Sequence, residues 1–252
     1  MQIEYQALLC AAGLWAGAQN ALAGGGSFVT IPALMLVGLD ARSANITSSV
    51  ALYPGQVATG VAGRSLVTGT DTLSFRTMCV IGAIGGAIGA LLLVWTSSAT
   101  FEKMLPWLVL FATTLFAWSA FGRKRPAEGA EGRSAPVAVG IAVQAAISVY
   151  GGYFGGGLGF MMVASLSLIG LSARPASATK NALAAVINTT SLLVFLFSPA
   201  VVWLAAGLLA VGAVAGGLLG AWALKRIPER MLRIVVVAIG ACLTAGLFAR
   251  AY

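Results

Sequence analysis

Histidine is absent from the 252 residues, and only 9% of them are charged, against about 25% in a soluble domain. Without histidine, transition-metal and haem ligation loses its commonest ligand. Cysteine does not replace it. Cys10, Cys79 and Cys242 lie far apart in apolar stretches, with neither a metal-ligand nor a disulfide spacing. The seven acids are Glu4, Asp40, Asp71, Glu102, Glu128, Glu131 and Glu229. All fall in polar loops or at the ends of apolar runs, which leaves no mid-membrane proton relay and no cation site. No G-x-S-x-G and no Walker motif occurs, so no catalytic residue, metal or cofactor is expected, and the chain is not read as an enzyme. The net charge is +8, but no basic patch is interleaved with aromatics, and nucleic acid is not an expected partner.

What is present is apolar sequence: 59% of residues are hydrophobic. Too few polar residues remain to cover a water-facing surface, so the chain reads as an integral membrane protein. Apolar segments run over 7–23, 27–38, 44–63, 73–95 and 104–121, then over 137–154, 158–170, 177–197, 200–223 and 231–249. Between the two sets lies the polar stretch "GRKRPAEGAEGRSAP". The predicted organisation is a first transmembrane repeat at 1–121, a cytoplasmic linker at 122–136 and a second repeat at 137–252. The stretch "LLCAAGLWAGAQNALA" has a signal-peptide look, ending in Ala21-Leu22-Ala23. It lacks the positive n-region of a signal peptide and offers Glu4 instead, so it is expected to remain in the mature protein.

The halves repeat one another. A shift of 132 lays "GGGSFVTIPALMLVGLDARSANIT" (24–47) on "GGLGFMMVASLSLIGLSARPASAT" (156–179) without a gap. Further on, "IGGAIGA" (84–90) meets "AGGLLGA" (215–221), and "EKML" (102–105) meets "ERML" (229–232). Three matching blocks in one order indicate an internal duplication.

Charge decides how the repeats face. If 7–38 were one long broken span, basic residues would divide 7 to 8 between the two sides of the membrane. If 7–38 turns back at its glycines as a hairpin, 12 of the 15 basic residues fall on one side, leaving Arg42, Lys103 and Arg250 on the other. The positive-inside rule favours the hairpin. The 12-residue arm 27–38 is also shorter than the roughly 20 residues a crossing needs. The expected fold is therefore an all-α polytopic membrane protein of two inverted repeats. Each repeat holds a glycine-broken re-entrant hairpin and about three spanning helices, and both termini lie outside the cytoplasm. Broken helices inside inverted repeats are a transporter construction, and helix N-termini attract anions.

The glycine break, its apolar half-helix, "GLDARSANITSS" and the second copy "GGGLGF…GLSARPASATKN" resemble the TauE/SafE sulfite-exporter family over nearly the whole chain. The resemblance implies a permease of small sulfur-containing anions such as sulfite and organosulfonates, in a bacterial inner membrane. The alternative is an anion channel, or a partner subunit without carrier activity.

The candidate substrate-binding set begins with backbone N–H groups at Gly24, Gly25, Gly26 and Ser27, and at Gly155, Gly156 and Gly157. Donors follow from Asn45, Thr47, Ser48 and Ser49, and from Thr179, Lys180 and Asn181, because oxyanions need several donors and positive charge. Arg42 and Arg174 match in the repeat and are candidates for a gate or access path. Gln19, Asn20, Gln144, Tyr150 and Tyr153 are expected to face protein or a cavity. Gln56, Asn188, Thr189 and Thr190 are expected to make interhelical hydrogen bonds. The glycines of 82–90 and 215–220 are expected to be packing residues. Expected partners are a small anion and membrane lipid. A homodimer is one assembly the sequence allows.

Overall fold

Polar residues set where several helices start, and a left-handed glycine sets where the first of the two short ones stops. The computed structural model describes residues 3–22, 25–62, 64–118, 121, 136–169, 171–223 and 229–252. Helix α1 (Ile3–Leu22) is followed by the short α2 (Ser27–Leu36), then α3 (Ala41–Ala62), a 3-10 turn at Arg64–Leu66, α4 (Phe75–Trp95) and α5 (Ser98–Ala117). The second set has the same order: α6 (Val137–Tyr153), the short α7 (Leu158–Leu168), α8 (Ala173–Phe195), α9 (Trp203–Ala223) and α10 (Glu229–Ala251). No strand is found among the described residues.

Helices α3, α5 and α8 each begin several residues before their apolar run. Their first turns are polar and so escape a hydropathy reading. Asp40 accepts from the N–H groups of Arg42 and Ser43 at 3.1 Å each. Ser97 accepts from Thr100 N–H at 3.1 Å. Both satisfy donors that a helix start would otherwise leave unpaired.

The two short helices end alike. In α2, Leu39 N–H reaches Leu34 C=O at 3.1 Å, and Gly38 N–H reaches Met35 C=O at 3.1 Å. Gly38 has φ +99°, so this is a Schellman stop. In α7, Leu171 N–H reaches Leu166 C=O at 3.1 Å, the same long bond at the matching place. At 10 and 11 residues these helices are about 15 Å long, half of what a crossing needs. By contrast, α4 (mean hydropathy 2.3) and Ile234–Ala251 of α10 (2.1) are long and apolar enough to span a membrane.

Packing between the two sets is reciprocal. Helix α1 packs on α9 and α6 packs on α4; α3 packs on α8 and α5 on α10; α5 touches α7 as α10 touches α2. The two closest contacts are glycine-lined. A Cβ added to Gly216 of α9 would lie 1.8 Å from Leu14 C=O of α1, and one on Gly17 would lie 2.0 Å from Ala213 C=O. Between α4 and α6, a Cβ on Gly89 would lie 2.1 Å from Val149 C=O, and one on Gly152 2.2 Å from Gly86 C=O. Such backbone proximity is how helices associate where lipid removes the hydrophobic drive. The spaced glycines of 82–90 and 215–220 thus have a packing role at the positions described. Outward side chains such as Trp15, Phe111, Val211 and Leu218 are apolar and exposed, as a lipid-facing surface requires. The chain is an integral membrane protein.

Candidate functional site

The first break is capped by the end of α1. Asn20 Oδ1 accepts Gly26 N–H at 2.7 Å, and Gln19 Nε2 donates to Gly25 C=O at 3.1 Å. Trp15 Nε1 in turn donates to Gln19 Oε1 at 3.1 Å. Gly25 has φ +80°, a conformation glycine adopts at low cost. Gly26 N–H is therefore engaged within the break. Ser27 opens α2 and is half-buried. One turn on, Thr30 donates to Gly26 C=O at 3.3 Å and shares a hydrogen bond with Ser48 of α3. Gly24 lies outside the described residues.

The second break is held differently. Gly155 and Gly157 have φ +74° and +81°. The Tyr150 hydroxyl lies 3.0 Å from Gly156 C=O and 3.3 Å from Leu108 C=O of α5, and donates its one proton to either. Tyr153 reaches back toward α5, its hydroxyl 3.3 Å from Thr96 Oγ1 and 3.5 Å from Met104 Sδ. Asn45 Nδ2 donates to Tyr153 C=O at 3.1 Å. Asn45 is 1% exposed, and its Oδ1 has no hydrogen-bond partner among the described residues. Ser49 donates to Asn45 C=O at 2.9 Å. Its hydroxyl lies 3.9 Å from where a Gly155 Cβ would stand.

The breaks lie against one another through one ring. A Cβ on Gly25 would sit 3.5 Å from Cε2 of Phe160, in the first turn of α7. Phe116 packs on the same ring, centroids 3.9 Å apart. Phe160 did not stand out as a candidate in the sequence, although it matches Phe28 in the repeat.

Lys180 falls on Ser48 in the 132-residue register. Ser48 faces the first turn of α2, and Lys180 faces the first turn of α7. A Cβ on Gly159 would lie 3.2 Å from Lys180 Cδ and 3.7 Å from its Nζ. As the eighth residue of α8, Lys180 sits roughly 10 Å along the helix. Among the described residues its ammonium has no acid and no hydrogen-bond partner. Asn181 beside it is half-buried.

Other candidates have defined structural partners. Thr47 Oγ1 accepts Val202 N–H at 3.2 Å, just before α9. Thr179 Oγ1 accepts from Thr68 N–H at 3.1 Å and donates to Thr68 C=O at 3.0 Å, in the loop before α4. Each half thus holds a loop of the other by a matching threonine. Arg42 donates to Val94 C=O at 3.1 Å and Thr96 C=O at 3.0 Å, a cation on the C-terminus of α4. Arg174 is exposed at the start of α8. Gln19 and Gln144 are buried, as expected, at 4% exposure each. Thr189 joins α8 to Tyr53 of α3 at 3.0 Å. Among the described residues no cluster of His, Cys, Asp and Glu could hold a metal ion.

An apolar helical bundle with two short helices that follow glycine breaks, one of them faced by a cation unpaired among the described residues, has the plan of a membrane transporter. The family model of the sulfite exporter TauE/SafE matches residues 9–247, and the chain belongs to that family. It is 28% identical over 245 residues to a probable membrane transporter protein of Haemophilus influenzae, covering 96% of this chain and 94% of the relative. It is 26% identical over 235 residues to the probable membrane transporter protein YfcA of Escherichia coli K12, covering 92% and 85%. A third relative, the probable membrane transporter protein ORF9 of a Sinorhizobium species, is 28% identical over 249 residues, covering 96% and 92%. All three carry transporter names. No solved structure matches the chain.

Proposed function

We propose that the protein is a secondary transporter of small sulfur-containing oxyanions, such as sulfite or organosulfonates, working by alternating access around one mid-membrane site. The observation that carries this reading is Lys180, whose ammonium lies over the first turn of α7 without an acid partner among the described residues. An unpaired cation within the membrane is costly, and an anion relieves that cost. The first turn of α7 adds the positive end of its helix dipole. The two breaks, Gly25 and Ser27 with Ser48 and Gly155–Gly157 with Asn45 and Ser49, form the two sides of the site. Asn181 is a neighbouring donor. Thr47 and Thr179 act mainly by holding loops, and Arg42 and Arg174 border the path.

Reciprocal packing of the two five-helix sets supports two repeats related by a two-fold axis. The short α2 and α7 support re-entrant hairpins, and the charge asymmetry supports an inverted arrangement in a bacterial inner membrane with both termini outside the cytoplasm.

Proteoliposomes loaded with buffer for uptake, or with the unlabelled anion for counterflow, and given labelled sulfite, thiosulfate or a short sulfonate test this reading. Saturable uptake with counterflow is expected. Lys180→Gln removes a charge-assisted contact of about 1.5–3 kcal/mol, so affinity falls by about tenfold or more, with recovery in Lys180→Arg. Arg42→Gln changes stability more than affinity. Movement of cations and none of the anions refutes the proposal.

A further inference from the structure

A pocket of about 420 Å³ opens on the outside of the bundle, where the first turns of α5 meet the end of α10. Its lining includes Thr100, Lys103, Met104, Trp107, Leu108 and Tyr252. It lies apart from the glycine breaks, and its chemistry is that of a membrane boundary. Helix α5 has 20 residues and so is about 30 Å long, the thickness of the hydrocarbon core. Taken as a crossing helix, α5 has its Ser97 cap near one membrane surface, with Lys103 and Trp107 roughly 8–15 Å along the helix axis from it. Lysine snorkels to the headgroups from such a depth, and tryptophan and tyrosine favour the same zone.

The polar groups in the pocket are not equally occupied. Trp107 Nε1 donates to the Tyr252 hydroxyl at 3.2 Å, and that hydroxyl lies 3.5 Å from Lys103 C=O, to which it donates. Phe248 packs edge-on against Trp107 with centroids 5.0 Å apart. Nearby, Arg250 is paired with Glu102 at 3.3 Å. The Lys103 ammonium has no acid or hydrogen-bond partner among the described residues. Along α5 from it, Trp107, Leu110 and Phe111 are exposed and apolar, a strip one acyl chain can follow.

We propose that this pocket binds the headgroup of an anionic phospholipid, its phosphate on Lys103 and one acyl chain along Trp107, Leu110 and Phe111. The pocket wall also meets two tyrosines of α6 that lie just before the second glycine break. Met104 Sδ and Leu108 C=O lie 3.5 Å and 3.3 Å from the hydroxyls of Tyr153 and Tyr150, so the bound lipid bears on that break through α5.

Native mass spectrometry of the purified full chain with phosphatidylglycerol tests this. The wild type should retain a single phosphatidylglycerol more than Lys103→Gln does, with recovery in Lys103→Arg. Phosphatidylglycerol should raise the melting temperature above that in phosphatidylcholine for the wild type and for Arg76→Gln, a variant at the start of α4. Lys103→Gln should lose at least half of that rise. Equal lipid retention and equal shifts in wild type and Lys103→Gln overturn the proposal. So does a Lys103-dependent protection by inorganic sulfate that phosphatidylglycerol does not reproduce, because the pocket would then take a free anion.

Discussion

Gly157→Ala separates two reasons for a glycine at the second break. The backbone there has φ +81°, which costs any L side chain about 1–2 kcal/mol. Space is short as well: an added Cβ would lie 2.6 Å from Ala112 Cβ of α5. Carbon atoms in contact sit about 3.5–4.0 Å apart, so α5 and α7 would have to part by roughly 1 Å. Overpacking of this kind costs about 1–3 kcal/mol, and together the two effects amount to about 2–5 kcal/mol. Gly38 supplies the comparison. It has φ +99° and no atom within 4 Å of an added Cβ, so Gly38→Ala should lose only the backbone part, about 1–2 kcal/mol. Reversible denaturation in detergent, followed by tryptophan fluorescence, measures both. In an Ala112→Gly background the clash is gone, and Gly157→Ala should then cost no more than Gly38→Ala. If Gly157→Ala and Gly38→Ala cost the same in the wild type, or if Ala112→Gly gives no relief, the packing argument at this break is wrong.

Two other stability outcomes come from contacts far from the breaks. Gly216→Ala puts a methyl group 1.8 Å from Leu14 C=O and should destabilise by at least about 1–3 kcal/mol. Gly207→Ala, on the same helix with open space around it, should be neutral or stabilising by up to about 1 kcal/mol. Equal melting temperatures for the two variants would mean that α1 and α9 do not meet as described. At Asp40, outside the spanning segments, partial burial pushes the carboxyl up. Hydrogen bonds with Ser43 and Ser98 and the Arg42 charge outweigh it and hold the carboxyl below its ordinary 3.8. A lowered value means that the cap contributes fully above that pH and fades as pH falls through the folded-state value. Asp40→Ala should cost about 1 kcal/mol near neutrality, with the gap from wild type closing in acid. A gap constant down to acid unfolding would rule out the ionised carboxylate as the cap.

The backbone plan was open to reading because its signals are local. Glycine runs in apolar sequence, a repeated "GL" after each short helix and an interrupted hydropathy pattern each point to one backbone event. The helix starts at Ala41, Ser98 and Ala173 were less legible. Their first turns are hydrophilic, and hydropathy carries no signal for a cap. The site was legible only in part. Side-chain chemistry singled out Lys180, Ser48 and the glycines as candidates, but it does not show which partners each group meets. Thr47 and Thr179 look like substrate donors until Val202 and Thr68 are seen against them. Gly26 looks like an open anion donor until Asn20 is seen on its N–H. Phe160 was hidden because a phenylalanine in an apolar helix is ordinary, and only the approach of Gly25 gives it a place between the breaks.

The glycine-lined contacts also bear on biosynthesis. Both of them, α1 on α9 and α4 on α6, join the first five helices to the last five. Helix α1 leaves the ribosome roughly 180 residues before α9 begins, which at translation speed is a wait of about 10–40 s. During that interval the bare backbone along Gly13 and Gly17 faces lipid or the insertion machinery, because its intended neighbour has not been made. The nascent first half is thus an incomplete object. Whatever escorts it in the membrane must shield a narrow furrow of exposed carbonyls and glycines until the second half arrives to fill it.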